Sequence, residues 1–282
     1  MQIGVVFPQA EIGDNLETIR DYAQAVESLG YKHILVYECV TSDRPYHEPF
    51  VLFGLLAALT KRIELTTGIL VLPSRPTVLV AKQAAAVDIL SGGRLRLGVS
   101  VGWNKAEFTA MNAEFSMRGE QIEEQIHLLR SLWTKPKTTY TGRWHQLVDI
   151  GINPMPIQRP IPVWMGGEAD VVLARIARLA DGWITDSSDP FNKIVQDRVM
   201  RLKELVTKAD RSLDSVGIEA QAGIKIKSGA ERDWVNCAMA WKQLGATHLS
   251  VKTTEAGFAS IQEHLDVLYR LKNLLESEGV SS

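Results

Sequence analysis

The feature that most constrains this chain is a regular alternation of short apolar runs with longer amphipathic ones, repeated eight times from end to end. Residues 3–7 form a compact apolar run. A helical pattern follows, carrying Leu16, Ile19, Tyr22, Ala23, Val26 and Leu29, with Asp14 placed to cap it and Gly30 to stop it. Further strand-like runs fall at 34–37, 63–70, 95–101, 163–165, 182–185, 218–226 and 249–252, with helical patterns near 49–60, 77–90, 118–133, 169–180, 190–209, 230–243 and 257–276. Apolar strands that alternate with helices must be covered on both faces, which requires a parallel sheet with helical crossovers. Eight units without an internal linker predict a closed (β/α)8 barrel over 1–282 as one domain. Only 138–149 breaks the rhythm, with a strand-period alternation around Gly142 followed by Pro154, Pro156 and Pro160. This predicts a small hairpin and an extended connector inserted after the fourth helix. Locally, Asp189-Pro190 reads as a helix cap with proline in the first turn, and Ser228 with Glu231 reads as a capping box.

The stretch 90–104, LSGGRLRLGVSVGWN, carries the most chemical information. Ser91, Gly92 and Gly93 end the preceding helix. In the strand that follows, Leu95, Leu97, Val99 and Val101 alternate with Arg96, Gly98, Ser100 and Gly102, so one face is bulky and the other almost bare. Glycines at the carboxyl end of a buried parallel strand permit close backbone approach. In a barrel, that end is where ligands bind. The same mouth collects Phe7, Pro8, Glu38, Cys39, Gly68, Ile69, Gly166, Gly167, Asp186, Ser187, Thr253 and Thr254. Small and apolar residues of this kind suit a large flat ring, and paired glycines just before a helix offer backbone N–H groups to a phosphate.

These residues also carry a resemblance. Residues 88–94 (DILSGGR), 97–103 (LGVSVGW) and Glu107 are similar to the central signature of the luciferase-like monooxygenase superfamily, whose members use reduced flavin or coenzyme F420. Residues 67–73 with Arg75-Pro76, 118–133, 154–162, 163–167 and 180–183 follow in the family's order, covering about the first two-thirds of the chain. The resemblance implies an oxidoreductase that uses F420 or FMN to transfer hydride to, or activate oxygen on, a small organic substrate. It implies a bulge at Thr67, Gly68 and Ile69, often with a non-prolyl cis peptide, supporting the ring. It places Val101, Gly102, Trp103 and Asn104 beside the ring, Gly166 and Gly167 at the phosphate and Asp186 near the cofactor. Relatives using F420 often end the second strand with Asp-His, where this chain has Glu38-Cys39, which leaves Glu38 and His47 as candidates for proton handling. A compact chain with only a hairpin insertion inclines the choice toward F420, because oxygen-activating relatives often carry longer lids. Homodimers are common in the family, and the apolar helix at 51–59 is too greasy for a solvent face.

Other readings meet specific obstacles. Gly98-Val99-Ser100-Val101-Gly102 matches the serine-hydrolase pentapeptide, with Asp186 and His248 or His264 following. Ser100 nevertheless falls inside the strand pattern rather than on a sharp turn. The six histidines form no metal-binding spacing. A barrel that binds flavin without turnover shares every feature read so far. Trp103 and Trp183 fit the wall and core, and Glu107 fits a helix first turn. A net charge of −2 gives no basis for nucleic-acid binding, and no apolar run is long enough to span a membrane. Two well-separated cysteines and an amino terminus without a basic leader predict a reduced, cytoplasmic protein.

Overall fold

The computed structural model describes residues 1–12, 15–223 and 231–280. Eight parallel strands close into a barrel: β1 (Gln2–Val6), β2 (His33–Val36), β3 (Glu64–Thr67), β5 (Leu95–Ser100), β8 (Val163–Gly166), β9 (Gly182–Ile184), β10 (Gly217–Gly223) and β11 (His248–Lys252). Pairing of Leu65 with Leu95 and Thr66 with Arg96 completes the circle. Between them β4 (Leu70–Val71) runs beside the far end of β5, and β6 (Thr138–Thr141) with β7 (Gln146–Ile150) forms the inserted antiparallel hairpin. The outer ring is α2 (Leu16–Ser28), α3 (Pro49–Leu59), α4 (Thr77–Ser91), α6 (Arg118–Thr134), α7 (Asp170–Leu179), α8 (Lys193–Lys208), α9 (Glu231–Leu244) and α10 (Ile261–Ser277). Two short helices, α1 (Gln9–Ile12) and α5 (Lys105–Ala110), follow β1 and β5. No helix among the described residues is long and apolar enough to cross a membrane.

Most of the hydrophobic core lies between the strands and this ring, where Ile3, Val5, Leu95, Leu97 and Val99 are buried. The barrel's interior follows different rules. Its lower layer is ionic: Glu219 accepts from Ser250 Oγ at 2.6 Å, lies 2.9 Å from His33 Nε2 and pairs with Arg96, which also reaches Glu64 at 2.7 Å. The Arg96 guanidinium stacks 4.3 Å from the Trp164 ring. Burial alone would raise the Glu219 carboxyl, yet Arg96 and His33 hold it well below the ordinary carboxylate range. Above this layer a small apolar set, Val6, Leu35, Trp164 and Ile184, fills the lumen.

Several local expectations change. The single strand expected over 63–70 is two strands. From Thr66 to Leu70 the chain advances four residues, while the matching stretch of β5, from Arg96 to Val99, advances three. The extra residue makes a bulge at Gly68 and Ile69, where the connecting peptide bond is cis. Asn15, rather than Asp14, caps α2 by accepting from the Glu17 and Thr18 N–H groups; Asp14 itself lies outside the described residues. At α8 the cap is Asn192, and Asp189 instead accepts from Phe191 N–H, closing a turn ahead of the helix. The Ser228 capping box and the end of the strand expected over 218–226 also lie outside the described residues. Gly92 ends α4 at φ +72°, as its sequence context predicts.

Candidate active site

The carboxyl ends of the strands form a mouth whose floor is the bulge. Ile69 sits there partly buried and, like Tyr37, packs on the small apolar set of the lumen. It is propped from behind: a Cβ added to Gly166 would lie 2.9 Å from Ile69 Cγ2, so the absence of a side chain on β8 is what admits Ile69. Thr67 serves the barrel wall, its buried hydroxyl donating to the Gly98 carbonyl at 2.7 Å. Gly98 permits that approach, because a Cβ there would stand 2.0 Å from the Thr67 carbonyl oxygen.

Glu38 is not free to act on a ligand. Its side chain is 1% exposed, one oxygen pairs with the Arg75 guanidinium, and the other accepts the Val71 N–H at 2.5 Å. Burial pushes its carboxyl up from the usual range, and Arg75 and Val71 pull against that shift. Arg75 also reaches Glu48 at 3.0 Å. The group therefore ties β2 to the segment just after the bulge. His47 lies on the loop after β2, with its backbone N–H donating to Gln9 Oε1 at 2.9 Å. Its ring Nε2 is buried without a hydrogen-bond partner among the described residues. It lines a cavity of about 290 Å3 with Cys39, Val40, Tyr46 and Met111, directly beside the mouth.

The end of β5 divides its residues. Val101 packs on the core, and Gly102 turns the chain at φ +71° with its carbonyl accepting from Arg118 at 3.1 Å. Trp103, expected in the wall, is 86% exposed. The left-handed turn at Gly102 carries it outward, past the point where strand pairing would hold it. Asn104 caps α5, accepting from Ala106 N–H at 3.0 Å. Glu107 is buried and accepts the Val40 N–H at 2.9 Å, so it fixes the loop after β2 rather than merely favouring a helix start. Trp183 is fully buried and donates to the Gly167 carbonyl at 2.8 Å.

At the ends of β8 and β9, Gly167 adopts φ +123° and Ala169 starts α7 with no side-chain cap. Glu168 accepts from the Thr185 hydroxyl at 3.0 Å and the Ser187 hydroxyl at 2.8 Å, and pairs with Arg198. Asp186, between those two hydroxyls in sequence, is exposed. The serine-hydrolase arrangement does not assemble. Ser100 is paired in the strand opposite Val71, His248 Nδ1 bonds Thr247, and His264 Nδ1 bonds Thr253.

Three contributors were missed in the sequence: Tyr37, Gln221 and Gln9. Tyr37 donates its hydroxyl to Gln221 Oε1, and Gln9 holds the Tyr37 carbonyl at 2.9 Å. The signal for Gln221 was present. In 217–223, GIEAQAG, Glu219 and Gln221 recur at period two inside an otherwise apolar strand, which marks the lumen face.

A family profile described as luciferase-like monooxygenase matches residues 1–270. The chain belongs to the luciferase-like monooxygenase family. Among curated members, it is 38% identical over 163 residues to an uncharacterized protein of Mycobacterium tuberculosis (strain ATCC 25618 / H37Rv), the match covering 57% of this chain and 56% of that protein. It is 30% identical over 176 residues to an FMNH(2)-dependent dimethylsulfone monooxygenase of Pseudomonas putida, covering 60% of this chain and 48% of the relative. The match thus spans about half the length of these relatives. Among solved structures, the coenzyme F420-dependent tetrahydromethanopterin reductase from Methanopyrus kandleri superposes with a TM-score of 0.78 at 16% identity, covering 98% of this chain and 97% of that one. The barrel fold is thus shared with that reductase.

Proposed function

We propose that the chain, acting as one catalytic unit, is an oxidoreductase that seats a flavin-type ring across the barrel mouth and uses it on a small organic substrate. The observations that carry this reading are Ile69, a partly buried apolar side chain at the bulge backed by a glycine on β8, and two buried polar groups on strand-end elements with no partner among the described residues, His47 Nε2 and Gln221 Nε2. A planar ring needs an apolar face below and hydrogen-bonding groups at its edges. The bound ring would supply the redox reactivity; the chain's part is binding, orientation and control of access.

The roles divide by element. Thr67, Gly68 and Ile69 support the ring face, and Val101 and Gly102 border one edge, with Trp103 and Asn104 just outside it. Gly166, Gly167 and the uncapped start of α7 receive the phosphate, where unclaimed N–H groups and the helix dipole favour an anion. Arg198 neutralises Glu168, a carboxylate adjoining Gly167 that would oppose it. Asp186 stands at the rim. His47 has a buried ring nitrogen without a partner among the described residues, whereas both Glu38 oxygens are occupied.

F420 is the preferred cofactor, because the insertion is only a short hairpin. The hairpin is tied to the outer ring, where Glu124 on α6 accepts from Arg143, Trp144 and His145, and His145 Nε2 bonds Thr77 on α4 at 2.6 Å. Hydride transfer does not require the water exclusion that oxygen activation does. FMN is the second reading, favoured by the FMNH(2)-dependent relative and by Glu38-Cys39 in place of Asp-His. Fluorescence titration of the cofactor-free chain with FMN and with F420 tests both. Binding of F420 alone supports the first reading, binding of FMN alone the second, and binding of neither removes the proposal. Bleaching of the bound reduced cofactor by substrate or oxygen separates an enzyme from a binding barrel.

We also propose a homodimer through α3 and α4. Helix α3, PFVLFGLLAAL, has no polar side chain, yet Val51 is 73% exposed, and Leu79 on the adjoining α4 is 52% exposed. A helix that is apolar all round is normally covered. The two free cysteines fit a cytoplasmic setting.

A further inference from the structure

The Tyr37–Gln221 hydrogen bond crosses the barrel. Tyr37 follows β2 and Gln221 lies on β10, and β1 and β11 stand between those strands in the sheet. Two side chains from strands so far apart meet only through the lumen, so both point inward. Gln221 sits one inward-facing position above Glu219, whose contacts with Arg96, His33 and Ser250 form the closed ionic layer below. Among the described residues, no comparable ionic layer closes over Gln221.

The carboxamide is only half used. Burial, followed by the nearby Asp186 carboxylate, pushes ionisation of the Tyr37 hydroxyl well above its usual range, so it remains a donor at neutral pH. Donation to Gln221 Oε1 fixes which way the amide faces and leaves Nε2 with two N–H groups. That nitrogen is buried without a hydrogen-bond partner among the described residues, in a side chain that is 6% exposed. A buried donor left unpaired is costly, and native structures retain one where a bound group completes it.

The geometry points to Gln221 Nε2 as a preset donor for an acceptor oxygen of the molecule bound at the mouth, with Tyr37 as the positioning residue that orients it. The required chemistry is a carbonyl or related oxygen, supplied either by the ring or by the substrate. This inference deepens the ring-binding reading and rests on it for the ring as a source, whereas the donor itself is assigned by the two side chains.

The test uses the full chain labelled with 15N at glutamine side chains, with the Gln221 signal identified by its loss in Gln221→Leu. FMN, F420 and acetophenone are added separately, with ethylbenzene as the analogue of acetophenone that lacks the oxygen. The expected result is a downfield shift of the Gln221 Nε2 protons. A shift with FMN or F420 assigns the oxygen to the ring, and a shift with acetophenone but not ethylbenzene assigns it to the substrate. Gln221→Leu should then weaken that probe by about tenfold, and Tyr37→Phe should give a smaller loss by releasing the amide to turn over. If no probe moves the Gln221 signal, the donor assignment is overturned, including when FMN or F420 binds. If neither cofactor binds the unaltered chain, the ring reading fails separately, and acetophenone alone decides the donor. Should Gln221→Leu not fold, as judged by circular dichroism, Tyr37→Phe supplies the affinity comparison.

Discussion

Glu38 and Arg75 form a buried ion pair at the edge of the barrel mouth, and the second Glu38 oxygen holds the Val71 N–H just beyond the bulge. The carboxylate that the sequence offers as a proton carrier is thus a brace. Glu38→Gln keeps an acceptor for Val71, and Arg75 keeps Glu48. The expected loss is therefore about 1–3 kcal/mol in unfolding free energy, below the full cost of stripping a buried pair. Cofactor affinity should fall modestly through a loosened bulge, and the pH profile of turnover should keep its shape. Denaturant unfolding and a pH–rate profile check this, and a lost limb in that profile would restore Glu38 as an acid or base.

Acid should weaken the barrel through His248. Burial, and then the neighbouring Arg96 and His33, lower its pKa to about 3. An unfolded histidine titrates near 6.5, so between these values the unfolded chain binds the extra proton and stability declines as pH falls. His248→Gln should flatten the slope of unfolding free energy against pH in that window. An unchanged slope removes the assignment.

The phosphate site predicts a difference between two ligands. Gly167→Asp forces a side chain onto φ +123°, with its Cβ 3.1 Å from Val172 Cγ1, and sets a negative charge where the phosphate is proposed. At an effective dielectric near 20, like charges about 4 Å apart repel by about 4 kcal/mol. FMN should therefore lose far more affinity than riboflavin, which has the ring without the phosphate. Equal losses for both would refute the placement.

Two glycines should respond oppositely to alanine. Gly98→Ala drives a methyl group into the Thr67 carbonyl and should cost about 3 kcal/mol, the upper end for overpacking. Gly54 lies inside α3 with nothing within 4 Å of an added Cβ, so Gly54→Ala should stabilise the monomer by about 0.5–1 kcal/mol. Thermal melts of both variants check the pair.

Replacing Val51 and Leu79 together by Asp should convert the proposed dimer to monomer without lowering the content of secondary structure. Sedimentation velocity at micromolar concentration reads this directly. A chain that is monomeric before substitution overturns the interface.

The sequence made the barrel legible because strand and helix periods differ and alternate cleanly, and because Gly92 and the glycine-studded β5 have local meanings. It also placed the bulge, through resemblance at Thr67, Gly68 and Ile69. Pairing of Glu38 with a basic residue is one reading of the sequence, but the partner could not be named, since Arg75 lies 37 positions away and meets it only after two strands pair. Trp103 misled because its size suggested burial, whereas the turn at Gly102 sends it to solvent. The Asn15 and Asn192 caps were obscured by neighbouring residues of equal capping aptitude, and the choice between them is made by where the preceding strand lets the helix begin.

Gln9 has one further consequence. A single buried carboxamide holds the Tyr37 carbonyl on one side and the His47 N–H on the other. The span 38–46, with residues 41–45 at its centre, is therefore pinned at both ends to a third point, like a strap buckled to the frame. Under the proposed function, the length and composition of 41–45 can be redesigned while Gln9 keeps hold of Tyr37 and His47, so this is the place to graft new substrate preference onto the barrel.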